Sequence, residues 1–127
     1  MPIVDIRFDP KRFTNQQIEK LRAHLPAIVA EALSDTTQKE TQLKASQIGL
    51  EFNEKHRFDV NVRPIRMLVF CEGFPVRLEN SDGRAASIAE AARLLDHDFC
   101  LEKDLGWVWI YPGVRTGFAE IGTLTET

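Results

Sequence analysis

The sequence predicts a mixed α/β (α+β) domain made of two β–α–β units in tandem. Two observations carry that expectation. The hydrophobic residues pass from an alternating to a helical period and back, twice, giving the order β–α–β–β–α–β. The two halves also match in landmarks: the first strand leads to Pro10 and Arg12, the third to Pro75 and Arg77, and a capped helix follows each arginine. The 127 residues are therefore read as a single domain, 1–127, with pseudo-repeats at about 2–52 and 65–111 and a C-terminal tail, 112–127.

Residues 3–8 place Val4, Ile6 and Phe8 on one face and Asp5 and Arg7 on the other, the pattern of a half-buried strand. Pro10 ends it. Thr14 followed three residues later by Gln17 is a capping box. Beyond it Ile18, Leu21, Leu25, Ile28, Val29 and Leu33 recur at helical spacing. Pro26 removes a hydrogen bond from that helix, so a kink or break is expected there. Residues 34–42 are polar and read as a surface connection.

Residues 47–52 form the second strand, with Ile48, Leu50 and Phe52 on one face. A charged segment follows, and then residues 65–71, an apolar run suited to a strand buried on both faces. Asn80-Ser81-Asp82 caps a helix whose apolar side carries Ala85, Ile88, Ala89, Ala92 and Leu95. Residues 106–111 make the fourth strand, and Trp107, Trp109 and Tyr111 share one of its faces. An interface between subunits accounts for that aromatic face as well as a ligand wall does. The tail holds three glycines and reads as loop or a short hairpin.

Composition narrows the function. The chain is 43% hydrophobic and 28% charged, with sixteen basic residues scattered among nineteen acidic ones. That leaves no basic footprint for nucleic acid or a membrane surface. No apolar run is long enough to span a bilayer, and Asp5, Arg7, Asp9, Lys11 and Arg12 break up any signal-peptide core. Cys71 and Cys100 fit no metal or redox spacing, so the default setting is reduced and cytoplasmic. Asp96-His97-Asp98 with Cys100 lacks a fourth metal ligand at a recognisable spacing and reads as a solvated helix end. No metal and no cofactor is expected.

The chemistry sits at the beginning of the chain. A strand that starts at residue 3 puts the terminus inside the fold. Removal of Met1 before the small Pro2 would expose a secondary amine held rigidly by its ring. An apolar pocket disfavours the charged form of such an amine, leaving it neutral and able to move a proton beside a carbonyl. Arg12, ten residues on, is a cation for an acid group.

The start Met1-Pro2-Ile3-Val4-Asp5-Ile6, with Arg12 after the strand and a capped helix beyond, resembles the tautomerase superfamily. That group includes 4-oxalocrotonate tautomerase, 5-carboxymethyl-2-hydroxymuconate isomerase and macrophage migration inhibitory factor. The double length is similar to its trimeric members, whose subunit is a fused pair of units. The resemblance implies a homotrimer acting on a small carboxylate substrate by 1,3-proton transfer on an enol, keto or unsaturated acid. Pro2 would be the general base. Arg12 would bind the carboxylate, and Arg77 would add a second cation, facing a neighbour's Pro2 in a ring of three. The family's aromatic wall would come from either Phe118 or Trp109.

Two departures qualify the match. Gln47-Ile48-Gly49 lacks the arginine that the short enzymes carry at the start of their second strand. Met67 stands where the second half would need its own proline, so one working amine per chain is expected. Three rival readings remain: a catalytically silent trimer of this fold, a ferredoxin-like binding domain with antiparallel pairing, and hydration or dehalogenation of an unsaturated acid by the same base.

Overall fold

The computed structural model describes residues 2–34, 42–72, 79–113 and 121. Strand β1 (Ile3–Phe8) leads to helix α1 (Asn15–Leu33). A short 3-10 turn (Ala45–Gln47) precedes strand β2 (Gly49–Glu54). Strand β3 (Ile65–Glu72) leads to helix α2 (Ser81–Arg93), the short helix α3 (His97–Leu101) and strand β4 (Gly106–Gly113). The four strands form one sheet in the order β2-β1-β3-β4. β1 runs parallel to β2 and β3 parallel to β4, while β1 and β3 meet antiparallel at the centre. The sheet is thus two parallel β–α–β units placed side by side and head to tail. A ferredoxin-like arrangement, antiparallel within each half, is excluded by this pairing.

Alternation along each strand sorts the residues between two faces. Val4, Ile6, Ile65, Met67, Val69, Cys71 and Ile110 are buried on the inner face, against Leu21, Leu25, Val29 and Leu33 of α1 and Ile88 and Ala92 of α2. The outer face carries Ile3, Phe70 and Tyr111 in one row, Asp5, Leu68 and Trp109 in the next, and Arg7, Arg66 and Trp107 in a third. No other element of the described chain covers its aromatic side. Tyr111 stacks on Trp109 at 5.4 Å and on Phe70 at 5.5 Å, yet all three stay substantially exposed.

Helix α1 starts with the expected capping box: Gln17 N–H donates to Thr14 Oγ1, and Thr14 N–H donates to the Gln17 side chain. Of the kink or break expected at Pro26, the break does not occur: α1 runs from Asn15 to Leu33 through the proline. The residues on either side explain why. Leu21, Leu25, Val29 and Leu33 anchor the helix to the sheet before and after the missing bond. At its end, the Arg84 guanidinium donates to the Ala32 carbonyl at 2.8 Å, satisfying a group that the last helical turn leaves open.

Three further details differ from expectation. β2 lies two residues later than 47–52, because Ala45–Gln47 is taken up by the 3-10 turn. Asn80 occupies the cap position of α2 in the left-handed region (φ 56°) and makes no side-chain cap bond. Asp96 is no solvated helix end. It caps α3 by accepting from Asp98 N–H, and it also accepts from Lys20 Nζ at 2.7 Å and from the Gln17 amide. Of the tail, Pro112 and Gly113 belong to β4; apart from residue 121 the remainder lies outside the described residues.

Candidate active site

The head-to-tail sheet gives the molecule two ends. At the first, β1 and β2 begin, β3 and β4 finish, α1 finishes and α2 begins. At the second, all of these directions reverse. Pro2 stands at the first end. Gly49 N–H donates to its carbonyl at 2.9 Å, locking it into the parallel ladder. Continuing the register one step places Pro2 opposite Ile48 and Cys71, both buried. Pro2 itself is exposed by less than 2%. A Cβ at Gly49 would approach the Pro2 carbonyl at 3.8 Å and Ile3 at 3.5 Å, so the start of β2 lies close against the chain terminus.

Arg12 lies at the second end. Its backbone N–H donates to Asp9, just past the end of β1, and its guanidinium pairs with Glu102 after α3. Six residues of extended strand separate this end from Pro2, about 20 Å at the usual rise. Within one chain, then, Arg12 does not share a site with Pro2. Trp109 does not either: it is on the outer face of the edge strand, whereas Pro2 is on the inner face. Arg77 and Phe118 lie outside the described residues. β3, however, finishes at Glu72 beside Pro2, five residues before Arg77 in the chain.

The separation of Arg12 from Pro2 was already implicit in the six-residue strand between them; which residues of the second unit reach the Pro2 end depends on how β1 pairs with β3. The residues packed around Pro2 were also hidden. Ile48 and Cys71 read as ordinary strand hydrophobics, and only the register brings them to the terminus. Among the described residues, no group of three or more His, Cys, Asp or Glu side chains could hold a metal ion. No helix is long and apolar enough to cross a membrane among them.

An N-terminal strand inside a sheet of two head-to-tail β–α–β units defines a class of small α+β proteins. No family model matches the chain, and no curated protein matches it. Solved structures do. The structure titled F6 fused 4-OT wild type asymmetric trimer superposes with a TM-score of 0.70 at 11% identity, covering 95% of this chain and 94% of that one. Malonate semialdehyde decarboxylase gives 0.63 at 9% identity, covering 95% and 91%. A macrophage migration inhibitory factor-like protein from Entamoeba histolytica gives 0.62 at 6% identity, covering 94% of both chains. The chain shares the fold of these structures.

Proposed function

We propose that this protein is a tautomerase or isomerase that moves a proton on an enol, keto or unsaturated carboxylic acid, with the Pro2 amine as general base once Met1 is removed. The observation that carries the reading is the placement of Pro2: fully buried at the head of a central strand, between Ile48 and Cys71. A free amine there loses much of its hydration, which disfavours its charged form and favours a neutral base. The similarity to fused 4-OT, malonate semialdehyde decarboxylase and a dehalogenase-family structure supports this class of activity.

In this reading Arg12 binds the substrate carboxylate and Arg77 adds a second cation, as the family resemblance implies. Arg12 meets a Pro2 amine only across a contact between copies. Such contacts follow from a homotrimer, a reading supported by the trimers named among the fused 4-OT structures and by the aromatic outer face. Phe118 and Trp109 remain the aromatic candidates, Trp109 by way of a neighbouring copy. The protein works on this reading without a metal or cofactor, in the cytoplasm.

The test has two parts. Intact mass of the protein from its own host should lack one methionine. Pro2→Ala, correctly processed, should then slow ketonisation of an enol acid by roughly 10²–10⁴-fold, the usual contribution of a positioned base. A retained Met1 or unchanged turnover ends the mechanism. The second reading, favoured by a retained Met1, is a silent trimer of the same fold with a binding or structural role.

A further inference from the structure

At the second end of the sheet, away from Pro2, a cavity of about 190 Å³ opens between α2, α3 and the first residues of β3 and β4. Its walls include Phe13, Met67, Ala92, Phe99 and Val108. Phe13 and Phe99 meet edge to face at 5.5 Å, a firm aromatic wall rather than a loose gap. An apolar cavity of about 150 Å³ is enough to hold benzene. This one has room for one six-membered ring and a small substituent.

Its position is not arbitrary. Turning the sheet about an axis through the Asp5–Leu68 pair, one of those that keep the inner face inward, brings Pro2 onto Ile65, Val4 onto Met67 and Ile6 onto Val69. Ile65 and Met67 both line the cavity. Met67, paired with Pro2 by counting along the sequence, sits one inward step further on. The cavity is therefore the second unit's counterpart of the Pro2 end, with a buried isoleucine in place of a chain terminus.

The charges at the mouth decide what it accepts. Arg93 is committed: Nε and Nη2 donate to Glu90, and Nη1 donates to the Cys100 carbonyl and sulfur. Arg12 is committed to Glu102, another residue of the mouth. Asp104, also at the mouth, has no ion pair and no side-chain hydrogen bond among the described residues. Both cations are thus neutralised by neighbours, while one carboxylate is left over. A carboxylate ligand would have to displace Glu102 or Glu90; a donor group meets an acceptor already waiting.

We propose that this cavity is a second binding site, separate from the Pro2 end, that takes a single-ring molecule carrying an amino or hydroxyl donor in preference to a carboxylate. The inference rests on the cavity and its rim within one chain; Arg12, at that rim, is also the group that the Pro2 reading offers to a neighbouring copy.

The experiment titrates the intact protein, isotope-labelled, with benzylamine, phenol and benzoate while following backbone amide resonances. Benzylamine and phenol should give saturable shifts at Ala92, Phe99, Gly106 and Val108, with benzoate at least about tenfold weaker. Asp104→Asn, well suited to φ 54°, should weaken benzylamine about tenfold and phenol much less. Ala89→Phe, an exposed position on α2 that lines the cavity, should block both rings and leave enol-acid turnover unchanged. The proposal is overturned by an absence of saturable binding, as when a side chain of another copy fills the space. It is equally overturned by shifts confined to Ile48, Gly49 and Cys71, or by benzoate binding more tightly than benzylamine.

Discussion

Lys20 and Gln17 on α1 both reach the Asp96 carboxylate, which also caps α3, so one side chain ties the two units together at the second end. The Lys20 hydrogen bond, helped by Gln17 and by the Asp98 N–H, holds Asp96 below the ordinary carboxylate range despite partial burial. A depressed carboxyl stabilises the fold fully above its ordinary value, and that contribution disappears as pH falls through the lower folded value. Between pH 7 and pH 3 the thermal midpoint of the native protein should therefore fall further than that of Asp96→Asn. Asp96→Ala also loses the cap and should cost about 1 kcal/mol in urea unfolding, within a range of roughly 0.5–2. Gly106 is a second residue-scale case. A Cβ there runs into the Ile65 carbonyl and side chain, so Gly106→Ala should destabilise by roughly 1–3 kcal/mol in the same measurement.

Helix α1 shows what a sequence pattern can and cannot say about an element. Its start was legible, because a capping box is a local arrangement of Thr14 and Gln17. Its continuation past Pro26 was not, since the burial of Leu21, Leu25, Val29 and Leu33 against the sheet overrides a local defect. That defect remains a cost. Pro26→Ala should restore the bond to the Arg22 carbonyl and raise stability by about 1–3 kcal/mol, read as a higher midpoint in thermal unfolding. Helix α3 was illegible for another reason: its five residues are too short to display a period, and its capping residue Asp96 looked like one more surface charge.

At the scale of the whole molecule, the four strands and the two β–α–β units were legible because each strand and helix carries its own period. Pro2 was legible as the residue that leads into the first strand, and the structure buries it there. The composition of its surroundings was not, because only the registers with β2 and β3 bring Ile48 and Cys71 beside it. The outer face offers a direct check on assembly. Phe70→Glu puts a charge beside Tyr111 and Ile3 without touching the inner core. It should convert a trimer to monomers by light scattering while circular dichroism stays native. If Arg12 serves a neighbour's Pro2, enol-acid turnover should fall with assembly; if only Arg77 serves, the monomer should keep much of it.

Residues 55–64 join the two units, stitched to β1 where Lys55 N–H donates to Phe8 and Asp9 N–H donates to the Pro64 carbonyl. The first strand of each unit starts at a different end of the sheet, and continuity through residues 55–64 ties the start of β3 to the first unit. Opening the chain between Arg63 and Pro64 would free the start of β3. The pieces have the Ile3–Phe8 and Ile65–Phe70 ladder to hold them together, and the new terminus would begin Pro64-Ile65 at the edge of the cavity. What the second end can bind is then set by the continuity of the backbone between Arg63 and Pro64 as well as by the side chains that line the cavity.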